Sequence, residues 1–350
     1  MSTNHTNQRW LLFLLKNMSV ILFVVIFVGF SLFSERFSSL RNFENIILSS
    51  TDVGIIAIGM TFVLLTGGID LSVGATMYIT GAVLALMLES GYGMFPSITC
   101  GILAGTLWGC FNAFLISKVK IIPFMVTLGT LTAGRGLGLL ITHSRHIAVP
   151  NEMRFGATRL LGLVPIPILI FALMVIAAVI VLQYTPFGRQ IYAMGNATSN
   201  NDPEAAKKAG LNTARLTALV YILSGFCAAV ASVISISQVG SVSSSFGDGT
   251  EFQAIAASVL GGTSLFGGIG NVFPGTVVGI MLIQMIQNGL IFLQVDLYLQ
   301  EMVKALVILF AVFIDAQRIG LIKRLERRNI RVEKVPERMS SEKKKFTMIV

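Results

Sequence analysis

Apolar runs long enough to cross a lipid bilayer follow one another along almost the whole chain, and the polar stretches between them are short. A helix needs about 20 apolar residues to cross the hydrocarbon core. Runs of that order lie at Leu14 to Phe33, Ile46 to Thr66, Leu71 to Leu88, Phe95 to Ile116, Ile121 to Ile141, Val164 to Tyr184, Leu216 to Gln238, Phe252 to Phe266, Phe273 to Leu293 and Leu299 to Ile314. Hydrophobic residues make up 54% and charged residues 12%, with a mean hydropathy of +0.79, values outside the range of ordinary soluble domains. The expected fold is therefore all-α, a polytopic transmembrane bundle of about ten spans.

An even number of spans puts both termini on one side. The net charge of +9 is concentrated in the segment after Asp315, and a basic tail after a last span marks the cytoplasmic face. Residues 1–13 then form a short cytoplasmic segment, 14–315 the transmembrane domain, and 316–350 a basic cytoplasmic tail. One outer loop, His143 to Leu163, carries Arg145, Arg154 and Arg159 against Glu152 alone, and runs counter to the bias. The positive charge answers to this topology and to lipid rather than to nucleic acid. The first run lacks a small-residue cleavage site and reads as a retained span. Cys100, Cys110 and Cys227 lie in apolar stretches without metal-ligand spacing, so no metal site is expected. The chain has no GxxxxGK[ST], HExxH or GxSxG motif and only three histidines. No catalytic residue is expected, and the energy for any transport has to come from an ion gradient or a partner ATPase.

The most distinctive polar segment is AMGNATSNNDPEAAKKAGLNTARL, Ala193 to Leu216. It sits in the cytoplasmic loop 185–215. Asp202 can cap a helix, Pro203 suits its first position, Glu204 complements its positive end, and Gly210 after Lys207 and Lys208 stops it. The small side chains of Ala205, Ala206 and Ala209 would let a partner approach closely. The plainer alternative is a solvated connector.

Two segments resemble each other, GMTFVLLTGGIDLSVGATMYITG at Gly59 to Gly81 and ASVLGGTSLFGGIGNVFPGTVVG at Ala257 to Gly279. Each runs an apolar helix into a glycine-rich break, at Gly67, Gly68 and Gly74 in the first and Gly261, Gly262, Gly267, Gly268 and Gly270 in the second. Such paired breaks point to a solute path or a moving joint, or else to tight packing by small residues. Polar groups within spans are candidates for contact with a solute. They are Asp70 at a turn, Glu251 at the start of a span, and Asn112, which suits either a polyol or a neighbouring helix. Asp52 lies near a span end, while Arg135 and Lys304 lie deeper. Neutral amides and hydroxyls outnumber charges in the spans, which favours an uncharged polar solute.

Through MTFVLLTGGIDLSVGA at Met60 to Ala75, PFMVTLGTLTAGRGL at Pro123 to Leu137, TPFGRQIYAMG at Thr185 to Gly195, PEAAKKAGLN at Pro203 to Asn212 and GDGTEFQAIAASVLGGTSLFGGIG at Gly247 to Gly270, the chain resembles the permease subunits of ATP-binding-cassette sugar importers. This branch includes ribose, galactofuranose and autoinducer-2 permeases. The inserted GNATSNND and the longer basic tail depart from the family's usual pattern. The resemblance implies that the cytoplasmic loop, Arg189 to Leu216, docks on an ATPase subunit. It implies a second permease subunit, identical or different, two ATP-binding subunits that use the ATP, and a periplasmic sugar-binding protein, all at a bacterial inner membrane. The rival reading is a gradient-driven transporter or channel for a polar solute.

Overall fold

The computed structural model describes residues 18–34, 36–200, 202–296 and 298–300, with 302–303, 305–307, 309–310 and 313. The segments 1–13 and 316–350, Lys304, and much of the run Leu299 to Ile314 lie outside the described residues. The helices are α1 (Met18–Phe33), α2 (Leu40–Ser49), α3 (Thr51–Leu65), α4 (Val73–Glu89), α5 (Met94–Ser117), α6 (Pro123–Thr142), α7 (Ile166–Tyr184), α8 (Pro186–Ser199), α9 (Pro203–Lys208), α10 (Thr213–Val239), α11 (Thr250–Leu260) and α12 (Val277–Phe292). A π-helical turn, Val272–Thr276, leads into α12. Two small antiparallel ribbons decorate one end, β1 (Ile147–Ala148) with β4 (Ser241–Val242) and β2 (Arg159–Leu160) with β3 (Val164–Pro165).

Among the described residues, five helices are long and apolar enough to cross a membrane, namely α5, α6, α7, α10 and the segment Val272–Phe292. A sixth crossing results if α2 and α3, bent by 49°, act as one span. The bend falls at Ser50, whose hydroxyl donates to the Ile46 carbonyl. Two expected spans differ from what the chain builds. The run Ile46 to Thr66 becomes this bent pair. The run Phe252 to Phe266 is not one helix, because α11 stops at Leu260 and the chain turns at Gly261 and Gly262. Eleven residues rise only about 16 Å, half of the hydrocarbon thickness. Apolarity alone hid this, because the glycines after Leu260 are as compatible with hydropathy as with a break.

The core is built around α3, which is apolar on every face and buried at every residue but Asp52, as a helix surrounded by others must be. Its main neighbours are α10 and α11, and α10 also packs on α5 and α4. Small residues permit the close approach. A Cβ on Gly225 of α10 would lie 2.7 Å from the Gly109 Cα of α5, so two helix backbones meet there without intervening side chains. Hydroxyls join what apolar packing cannot orient. Thr61 of α3 lies 2.7 Å from the Thr276 hydroxyl and accompanies Ser258 of α11 at 3.2 Å. At the other edge Phe37 is buried among Phe27, Phe30 and Phe292, which fastens α1 to α12.

Candidate functional site

The short capped helix is present as α9. Asp202 accepts from the Ala205 amide at 3.2 Å, Pro203 occupies the first turn, and Gly210 leaves the helix at φ +83°. Lys207 donates to Glu204 at 2.7 Å, and that bond, with the lysine's charge, holds the Glu204 carboxyl below the usual carboxylate range. Asp202, Glu204, Lys207, Lys208, Ala209 and Gly210 are exposed, as is Arg189 on α8. Ala206 is not. It is 4% exposed and packs with Met194 and Leu216. The alanine face is therefore split, with Ala206 holding α9 to its own chain, Ala205 half-buried, and Ala209 left outward. A hexameric turn of helix turns its middle residues inward, which a list of small residues does not reveal.

The inserted GNATS forms the end of α8, a 14-residue helix. Its start was legible in TPFG, since Thr185 accepts from the Gly188 amide and Pro186 takes the first position. Its seat was not legible. A Cβ on Gly195 would collide with the Leu65 carbonyl oxygen and with the Gly268 amide, and one on Gly67 would lie 2.9 Å from Thr198. Tyr192 donates its hydroxyl to the Gly270 carbonyl at 2.8 Å. The two glycine breaks also touch each other, with the Gly268 amide donating to the Leu65 carbonyl at 2.9 Å. Thus α8 lies across both breaks at once, and α9 is tied to it by the Asp202 amide, which donates to the Ala197 carbonyl at 3.0 Å.

The first break carries Asp70, 1% exposed. Its Oδ1 accepts from the Ser72 amide at 3.0 Å and hydroxyl at 2.6 Å, and its Oδ2 from the Ser224 hydroxyl of α10 at 2.8 Å. Asn112 of α5 donates to the Ser72 hydroxyl at 2.7 Å. The peptide carbonyl of Ile69 accepts from Tyr221 and Thr127, each at 3.3 Å. Asp70 and Asn112 therefore belong to one buried network that joins α4, α5 and α10, and the Asn112 carbonyl oxygen within it has no partner. Glu251 lies apart from them, 5% exposed at the start of α11, against Gly74. The eight glycines thus fall into two groups. Gly74 faces the carboxylate, and the other seven form or adjoin the two breaks under α8.

The family model described as branched-chain amino acid transport system / permease component matches residues 42–312. A ribose import permease of Haemophilus influenzae is 37% identical over 309 residues, covering 87% of this chain and 94% of that protein. A galactofuranose transporter permease of Escherichia coli is 37% identical over 289 residues, 81% of this chain and 83% of that protein. An autoinducer 2 import system permease of Photorhabdus laumondii is 31% identical over 327 residues, 93% and 95%. No solved structure gives a significant match.

Proposed function

Because the chain belongs to the family of permease components of branched-chain amino acid transport systems, we propose that it is the membrane-spanning subunit of an ATP-binding-cassette importer for a small neutral sugar or sugar-like solute. The relatives' names supply the solute class, since they give ribose import, galactofuranose transport and autoinducer 2 import. The subunit sits in a bacterial inner membrane with about ten spans and both termini inside. It pairs with a second permease subunit, receives solute from a periplasmic binding protein, and is driven by ATP bound and hydrolysed on partner subunits.

The observation that carries this reading is the position of α8 across both glycine breaks. A force applied by an ATPase to exposed Arg189, Glu204, Lys207 and Lys208 reaches the end of α3 and the two glycine breaks through Gly195, Thr198 and Tyr192. Glycine leaves the backbone free to change at such joints, and in this reading closure of the ATPase switches the path between its outward and inward states. No covalent chemistry is required of this chain. Its work is to couple and to conduct.

Vesicles holding this chain alone, given D-ribose under a proton or sodium gradient, are expected to show no uptake. Adding the partner ATPase, ATP and binding protein is expected to start it. Uptake driven by a gradient without the ATPase would refute the importer reading.

A further inference from the structure

Arg135 is the thirteenth of the twenty residues of α6, about 18 Å from its start and so near the middle of a membrane-crossing helix. Its Nη1 donates to the Phe246 carbonyl at 2.6 Å. Its Nη2 lies 2.7 Å from Asp248 Oδ1 with no hydrogen aimed along that line, and its Cζ sits 5.6 Å from the Tyr78 ring centre. Glu251 is beside it, and Glu251 Oε2 is buried without a hydrogen-bond partner. A Cβ on Gly74 would meet this oxygen and would lie 3.3 Å from Arg135 Nη2.

The side chain of Asp248 is 59% exposed. Asp248 is held one arginine side chain away from the middle of α6, and a carboxylate that open does not face hydrocarbon, because a charge there costs about 3 kcal/mol or more. Its open side borders water. On the adjoining surface of α6, Thr132 and Gly136 are exposed and an added Cβ on Gly136 meets nothing.

We propose that Arg135, Asp248 and Glu251 form a subsite in the water-filled path that contacts the hydroxyl groups of a neutral polyol. A carboxylate accepts from neighbouring hydroxyls and a guanidinium donates to their oxygens. The Glu251 Oε2 and the Arg135 Nη2, both buried here without a hydrogen-bond partner, become an acceptor and a donor for that purpose when Asp248 turns away. Two carboxylates to one guanidinium disfavour anionic solutes such as sugar phosphates. Asp248 lies between Gly247 and Gly249, both at φ +76°, so it can leave Arg135 by rotation at the glycines without moving α11.

This inference rests on the importer reading, and its test separates the two. In a chain with Cys100→Ser, Cys110→Ser and Cys227→Ala, Asp248→Cys and Gly136→Cys are assembled with the ATPase in liposomes and exposed to a small cationic thiosulfonate. Both positions are expected to react from the aqueous phase, several-fold more slowly when D-ribose is delivered by its binding protein. Gly136→Cys adds no clash, so it reports even if Asp248→Cys assembles poorly. Asp248→Asn is expected to lower ATP-driven ribose uptake about tenfold, the loss of one charge-assisted hydrogen bond. Absence of labelling at both positions, or labelling indifferent to ribose in a complex that transports it, overturns the subsite and leaves the importer standing. An unmodified complex that moves no ribose with ATP refutes the importer reading, and the subsite falls with it.

Discussion

Gly195→Ala adds a single methyl group where α8 meets both the end of α3 and the second glycine break. Built on the backbone, that methyl collides with the Leu65 carbonyl oxygen and the Gly268 amide and lies 2.9 Å from the Gly268 Cα. These are backbone atoms, which cannot rotate aside as a side chain would. Overpacking of this kind costs about 1–3 kcal/mol, which lowers the seated population of α8 by a factor of roughly 5 to 150. Lifting α8 also breaks the bond from Tyr192 to the Gly270 carbonyl, worth about 1 kcal/mol.

The measurement is ATP turnover by the assembled complex with and without loaded binding protein. Gly195→Ala is expected to abolish the stimulation while the protein remains in the membrane in normal amount. Tyr192→Phe, which removes the hydroxyl and adds no bulk, is expected to weaken it by a few-fold. Gly29→Ala on α1, where an added Cβ meets nothing, serves as the control and is expected to behave as the unmodified chain. Full stimulation in Gly195→Ala would refute the argument that force passes through this contact.

Ala206→Arg is expected to loosen the loop rather than to block a surface, because Ala206 packs against Met194 and Leu216; limited proteolysis near residue 206 should show faster cleavage. Lys207→Glu with Lys208→Glu, both exposed, is expected to weaken ATPase binding and leave proteolysis unchanged. Asp70→Ala leaves the Ser72 and Ser224 donors without their acceptor, and at about 1.5–3 kcal/mol for a hydrogen bond to a charged group it is expected to lower the thermal midpoint in detergent measurably, whereas Asp52→Asn, half-buried and keeping an oxygen for the Val53 amide, should lower it less. For sidedness, cysteines at Ala209 and at Leu161, the latter 87% exposed, are expected to react with an impermeant maleimide only from the cytoplasmic and only from the outer side respectively; Gly156 is unsuited to this purpose because a Cβ there would lie 2.7 Å from the Ser237 carbonyl.

The helices that run continuously from end to end were legible. Met94–Ser117, Pro123–Thr142 and Ile166–Tyr184 fall within a few residues of the apolar runs that announced them, because composition alone decides a segment that must satisfy its own backbone in lipid. The capped turn Pro203–Lys208 was legible for a different reason, since its cap, proline and terminal glycine are local chemistry. Where long-range packing decides, the pattern was silent. Nothing local says that Ala206 turns inward, that Gly195 meets Leu65, or that Asp70 and Asn112 share Ser72. Arg135 stood out by depth, but its tie to Asp248 spans 113 positions of sequence and depends on how the chain returns after α10.

The breaks explain why the loop and the bundle have to move together. Buried backbone outside a helix is tolerated only where its amides and carbonyls find partners. Here Gly268 finds Leu65, and Gly270 finds Tyr192 of α8. A displacement of α8 alone would strip the Gly270 carbonyl of its donor in a low-dielectric setting, at about 1–3 kcal/mol for each such group. A displacement of the second break alone would do the same to the Leu65 carbonyl. The low-energy motion is therefore the one that carries α8, the end of α3 and the Gly261–Gly270 segment as one body. The flexible points are then pushed to the edges of that body, at Gly67 and Gly262, whose positive φ angles of +79° and +94° lie in the region that glycine adopts most readily.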